Sequence, residues 1–171
     1  MLPKFEWLDI EVDDAKSGDL SAALKLPLQI ARLLVARGVE EPEKAATFLA
    51  PDIKTHLSDP FTFPGVREAV DRLWSAIREN REIVVFGDFD ADGVAAAVII
   101  SIALRRMGGQ VEVFLPVREI EGYGLTFAAI ERCFAERGRC PALLMTVDCG
   151  VSSVAEVESL KQRGVEVIIS D

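Results

Sequence analysis

Histidine is almost missing from these 171 residues: His56 stands alone, in the polar run Lys54-Thr55-His56-Leu57-Ser58. Ser-His-Asp triads and His-rich zinc sites need imidazoles beside other catalytic groups, so this scarcity removes them from consideration and leaves His56 a solvated or locally bonded side chain. Cysteine is scarce too. Cys133, Cys140 and Cys149 are odd in number and lack CxxC spacing, which excludes a disulfide framework and a zinc knuckle and suits a reducing cytoplasm. Positive charge is in deficit, with 19 Lys and Arg against 28 Asp and Glu and a net charge of −9. A broad basic face for nucleic acid is therefore excluded, although local basic strips are not. Long apolar runs are absent: Val94 to Leu104 is broken by Ser101 and is about half the ~20 residues that span a bilayer, so it reads as a buried helix and no membrane is expected. The acid-rich start, MLPKFEWLDIEVDDAKSGD, has no apolar targeting core.

What is present divides near residue 80. Residues 1–80 read as a small helical region. Its helices are expected at Leu26 to Arg37, stopped by Gly38, and at Pro42 to Leu49, bracketed by prolines. A Pro-punctuated loop follows, then a helix from Val66 to Glu79 whose stripe Val66, Ala69, Val70, Leu73, Trp74 and Ile77 repeats with helical period. Trp74 reads as a core residue by that stripe.

Residues 81–171 alternate strand and helix. Apolar runs at Ile83 to Phe86, Val111 to Leu115, Leu143 to Val147 and Val165 to Ile169 are separated by helical stretches at Val94 to Met107, Phe127 to Arg137 and Val154 to Arg163. Right-handed crossovers then give an α/β fold, a Rossmann-like parallel sheet with flanking helices, in the order 2-1-3-4. Ser153 and Glu156 have capping-box spacing at the last helix. The chain stops directly after the fourth strand, so it is expected to be the N-terminal piece of a longer protein.

Three strands end in acids. The first runs into Asp88-Phe89-Asp90-Ala91-Asp92-Gly93, the third into Asp148-Cys149-Gly150 and the fourth into Ser170-Asp171. Open parallel sheets bind ligands beyond the carboxyl ends of their strands, where strand order reverses, and this order brings Asp88, Asp90 and Asp148 together there. Crowded carboxylates repel unless a cation joins them. Oxygen donors suit Mg²⁺ or Mn²⁺, and two such ions support in-line phosphoryl transfer. Gly93, opening the next helix, is expected to turn backbone N–H groups toward a phosphate.

IVVFGDFDADGVAAA resembles the first motif of the DHH phosphoesterase superfamily, and LLMTVDCGVSS its second. ISD resembles the start of the third, Asp-His-His. The N-terminal run LPLQIARLLVARGVEEPEKAATFLAP, the Asp59-Pro60-Phe61 turn and the element Pro116 to Leu125 resemble the RecJ-type single-stranded-DNA exonucleases within that superfamily. The resemblance implies that Asp88, Asp90 and Asp148 are catalytic metal ligands for two Mn²⁺ or Mg²⁺ ions, completed by histidines beyond Asp171. It gives Asp92 and Asp171 supporting places, and sets Arg118, Gly122, Tyr123 and Gly124 near the substrate phosphate with Gly93. It implies 5′ to 3′ hydrolysis of single-stranded DNA in repair and recombination, with a single-strand-binding protein or a helicase as candidate partners. The stretch alone is expected to be nearly inactive. Phe89 stands where the family commonly has Tyr.

Competing readings keep the superfamily but change the substrate to short oligonucleotides, cyclic dinucleotides or polyphosphate. A haloacid-dehalogenase-like phosphatase leaves Val147-Asp148-Cys149-Gly150 without a place. A non-catalytic phospho-receiver domain leaves the first 80 residues without one. Cys149 reads as a small buried residue beside a ligand, Trp7 as a candidate base-stacking aromatic, and Arg105-Arg106 as complements to a helix dipole.

Overall fold

The structure, a computed structural model, describes residues 10–171, so Trp7 and the first nine residues of the acid-rich start lie outside the described residues. It forms two compact units, one ending at Pro60 and one running from Phe61 to Asp171.

The first unit packs α1 (Asp14–Leu24), α2 (Leu28–Ala36), α3 (Pro42–Leu49) and the single turn α4 (Ile53–His56). Its core is Leu20, Ala31, Leu34, Val35 and Ala45. The sequence reading has no α1. That helix starts because the Asp13 carboxylate accepts from the Ala15 and Lys16 N–H groups at 2.9 and 3.1 Å. It buries only Ser17 and Leu20, so its apolar stripe is too thin to show as a period. His56 is locally bonded: its Nδ1 accepts from the Asp52 N–H at 2.9 Å.

The second unit opens with α5 (Val66–Arg78), then β1 (Glu82–Gly87), α6 (Ala91–Arg106), β2 (Gln110–Phe114), α7 (Arg118–Glu121), α8 (Phe127–Arg137), β3 (Leu143–Val147), α9 (Val154–Gln162) and β4 (Glu166–Ile168). The parallel sheet has the order β2-β1-β3-β4, as the alternation of elements requires. Side chains alternate across it. Val84, Phe86 and Leu144 pack on one face with Ile130 and Phe134 of α8 and Leu160 of α9. Ile83, Val85, Leu143 and Met145 pack on the other with Ala97 and Leu104 of α6 and with α5. These layers place helices on both faces, as a parallel sheet needs.

The compact units part at Pro60, and Ala69, Leu73, Ala76 and Ile77 of α5 join the sheet's core. Three expectations are corrected. Trp74 is 45% exposed, since Ala76 and its neighbours, not Trp74, face the sheet. The Val94 to Leu104 helix is buried on one face only: Ala97, Ser101 and Leu104 face inward, while Val98, Ile99 and Ile102 are exposed. Ser153 occupies the N-cap of α9, but its side chain makes no cap bond, and its backbone N–H closes a turn onto Gly150 O at 3.0 Å. Among the described residues, no helix is long and apolar enough to cross a membrane.

Candidate metal centre

Register decides where the acids fall. Gly87 of β1 pairs with Val147 of β3, so Asp88 and Asp148 leave adjacent strands at the same level. The Asp148 N–H then donates to Ser170 O at 2.9 Å, which brings the segment after β4 alongside and sets Asp171 next in the row. Strand ends alone thus align three carboxylates at the C-terminal edge.

Local turns aim them. Asp148 has φ of 60°, a left-handed conformation that Asp tolerates better than most side chains do. Gly150, at φ of 108°, finishes this turn where a Cβ would stand 3.1 Å from Thr146 Oγ1. Asp90 is the N-cap of α6, its Oδ1 accepting from the Asp92 and Gly93 N–H groups at 3.0 Å each. Asp88 Oδ1 accepts from the Phe89 N–H at 2.7 Å and, across the edge, from the Gly124 N–H at 3.4 Å. Asp171 Oδ2 accepts from the Val151 N–H at 3.0 Å. In Asp88, Asp90 and Asp171 these bonds fall on one oxygen, and among the described residues no amide meets the other.

The carboxylates feel one another. Desolvation pushes the Asp148 carboxyl above its ordinary range, and the charges of Asp92, Asp90, Asp88 and Asp171 push it the same way. Beneath this row Cys149 is buried, with Sγ 3.9 Å from Phe86 O, and burial raises its thiol to about 12. At neutral pH it is a packed thiol and not a thiolate donor.

The loop after β2 faces the same edge. Arg118 lays its guanidinium 4.9 Å from the centre of the Phe89 ring, so a ring in the first acidic motif supports the loop's cation. Gly122 and Gly124 both have positive φ, 83° and 74°, and Gly124 makes the contact to Asp88 already described. Tyr123 between them is 71% exposed.

A model of the DHH family, N-terminal domain, matches residues 82–171, the stretch that builds this sheet and its acidic edge. The chain belongs to the DHH family. It is 36% identical over 168 residues to the single-stranded-DNA-specific exonuclease RecJ of Bacillus subtilis, covering 98% of this chain and 21% of that protein. With the Escherichia coli exonuclease of the same name it shares 37% over 163 residues, 94% of this chain and 26% of the relative. Two solved structures are similar at a TM-score of 0.56: an exonuclease RecJ bound to manganese, 38% identical over 63% of this chain and 27% of that one, and RecJ with Mn²⁺ from Thermus thermophilus, 31% identical over 92% and 21%. The chain thus spans about a fifth to a quarter of the length of these relatives.

In this DHH domain the donor chemistry fits a hard divalent ion: five carboxylates share one edge, and their mutual repulsion falls on Asp148. They form an open row. Among the described residues no three His, Cys, Asp or Glu side chains are gathered closely enough to hold a metal ion by themselves. The geometry revises the reading of Gly93. Its N–H is occupied by Asp90 Oδ1 and does not face a ligand. Its role is steric, because a Cβ there would lie 2.6 Å from the Asp88 backbone nitrogen. Sequence reasoning passed over Glu121 and Arg132, which lie under the Arg118 loop. Glu121, one of two glutamates between Arg118 and Gly122, reads as solvated, and the one local sign of its burial is the tight glycine-flanked turn that follows.

Proposed function

We propose that this chain forms the metal-holding N-terminal portion of a 5′ to 3′ exonuclease that hydrolyses single-stranded DNA in repair and recombination, with Mn²⁺ or Mg²⁺ as cofactor. One observation carries the reading: the adjoining ends of β1, β3 and β4 align Asp88, Asp148 and Asp171 in one row, where desolvation and then the neighbouring carboxylates raise the Asp148 carboxyl. Likeness to RecJ exonucleases over nearly the whole chain, and Mn²⁺ in two of their structures, support the substrate and the metal.

In this reading Asp88, Asp90 and Asp148 hold the ions, while Asp92 and Asp171 add negative charge and orientation. The bound ions supply charge neutralisation for the phosphate and a water acidic enough to attack it. The chain's own residues do the rest. Backbone N–H groups fix the rotamers of Asp88, Asp90 and Asp171, so little reorganisation is left for the moment of reaction. Arg118 offers the edge a guanidinium suited to two phosphate oxygens. Tyr123, projecting into solvent beside it, has an open face on which a base can stack.

The test is calorimetric titration of the chain with Mn²⁺, alongside hydrolysis of end-labelled single strands. Mn²⁺ binding that Asp148→Asn abolishes is expected, with nuclease turnover appearing only in the longer protein that carries this stretch. Absence of Mn²⁺ and Mg²⁺ binding, or phosphorylation of Asp148 by acetyl phosphate, would overturn the reading. Turnover of dinucleotides in preference to long strands would shift it to an oligonucleotide phosphodiesterase.

A further inference from the structure

The segment between β2 and α8 has to hold Arg118 and Gly124 in place with only the single turn α7, Arg118–Glu121, as regular structure. Beneath it lies Glu121, whose side chain is 1% exposed. One oxygen, Oε2, accepts from the Val117 N–H at 2.7 Å, and the other meets Arg132 Nε of α8. Arg132 also donates to Leu115 O at 2.9 Å and to Glu121 Oε2 at 3.3 Å, and its guanidinium lies 4.3 Å from the centre of the Phe114 ring. The Glu121 carbonyl accepts from Thr126 Oγ1 at 3.1 Å, and that hydroxyl oxygen in turn caps α8 through the Ala129 N–H. The incoming strand end at Leu115, the loop's middle at Glu121 and its exit at Thr126 are thus bound to one pair, its carboxylate buried and its guanidinium 29% exposed. Arg132 is neutralised by Glu121 and Glu136. Arg118 has no carboxylate in ion-pair range among the described residues and so keeps its charge available to a ligand.

An ion pair with its carboxylate buried is a poor device for stability, because desolvation offsets most of its attraction. Its use lies in fixing geometry. We infer that Glu121 and Arg132 are the positioning pair that holds this loop against Asp88 and thereby sets where Arg118 meets the phosphate backbone. The inference rests on the nucleic-acid reading above and names the residues that make it work. Neither side chain need touch DNA or metal. Their effect passes through the backbone of Val117 to Arg118 on the Phe89 ring.

The test combines amide hydrogen exchange with binding of a short fluorescein-labelled single-stranded oligodeoxynucleotide in the presence of Mn²⁺, using the 171-residue chain. Glu121→Gln keeps the shape and removes the charge. It is expected to speed exchange at Val117 and Gly124 and to weaken oligonucleotide binding about tenfold, the size of one charged hydrogen bond. The double variant with Arg118→Ala is expected to bind no more weakly than Arg118→Ala alone, since both act through one guanidinium. Mn²⁺ affinity measured without DNA should stay within about twofold of the parent. If Glu121→Gln does not fold, Arg132→Lys keeps a charge opposite Glu121 while giving up the bond to Leu115 O, and should show the same pattern more weakly. Unchanged exchange, or additive losses in the double variant, would overturn the inference. A parent chain with a protected loop that binds no oligonucleotide sinks the nucleic-acid reading instead, and exchange in Glu121→Gln still decides whether the pair holds the loop.

Discussion

Replacing Gly93 by alanine pits two effects of opposite sign against each other. Gly93 is the third residue of α6, and alanine is better than glycine inside a helix by about 0.8–1 kcal/mol, so helix propensity alone predicts stabilisation. Packing predicts the reverse. A Cβ at Gly93 would lie 2.6 Å from the Asp88 nitrogen, 2.8 Å from its Cα and 2.8 Å from its Cβ. Favourable carbon contacts begin near ~3.5 Å, so the new methyl intrudes by close to an ångström, and what it meets is mainly backbone that cannot turn aside. Overpacking of this kind costs about 1–3 kcal/mol or more, which exceeds the helix gain.

Gly93→Ala is therefore expected to destabilise the chain in urea and, by pushing Asp88 out of the row, to weaken Mn²⁺ binding as well. Gly18→Ala supplies the control. Gly18 lies inside α1, and a Cβ added there would meet nothing within 4 Å, so the propensity difference acts alone and stability should rise by up to about 1 kcal/mol. Urea midpoints at equal slope measure both changes. Stabilisation of Gly93→Ala to the same extent as Gly18→Ala would refute the close approach of α6 to Asp88, and with it the geometry of the acidic edge.

Other outcomes follow from the charges. Asp148 has a folded-state pKa above its unfolded value, so its ionisation costs stability that grows as pH rises past the usual aspartate range; Asp148→Asn should melt slightly higher than the parent without metal. The parent should gain about 2.7 kcal/mol, on the order of 10 °C, at Mn²⁺ one hundred times its dissociation constant, and Asp148→Asn should gain none of it. Equal upshifts in both would place the metal elsewhere. Glu121 and Glu82 behave in the opposite sense: Arg132 and Arg139 respectively hold them below the ordinary glutamate range. The stability they add is full above the unfolded value near pH ~4.3 and is lost as pH falls through the lowered folded values, so Glu121→Gln should flatten the acid limb of a stability-pH curve. Cys140 is exposed, while Cys133 and Cys149 are buried with thiols raised to about 11 and 12. Ellman's reagent should thus titrate one thiol in the native chain and all three after unfolding.

The sheet was legible because its strands are short apolar runs between glycine-ended helices, and a parallel sheet of that kind admits few orders. That Asp88, Asp148 and Asp171 follow strand ends at one edge was legible for the same reason, although the convergence read from strand order was that of Asp88, Asp90 and Asp148. What stayed hidden depends on contacts made across the chain. DxDxDG does not show that Asp90 turns back to cap α6 and takes the Gly93 N–H, or that Gly93 is small to admit Asp88. The left-handed turn at Asp148 leaves only the glycine two residues later as its trace. Glu121 looks like any surface acid until α8 sets Arg132 beneath it. Trp74 matched the helical stripe, yet the sheet meets α5 through Ala69, Leu73, Ala76 and Ile77.

Charge gives these pieces one purpose. An edge with five carboxylates repels a phosphodiester, and the chain's net charge of −9 makes approach harder still. Arg118 alone cannot reverse that field. In the proposed reading two divalent ions bring four positive charges to the five carboxylates, and with the guanidinium the edge comes near neutrality. A nucleic-acid strand then has a place to bind only when the ions are present and the loop holds Arg118 toward them. Metal occupancy and loop position become two conditions for one event, which is why the Glu121–Arg132 pair, touching neither metal nor strand, should show itself in oligonucleotide affinity while leaving metal affinity untouched.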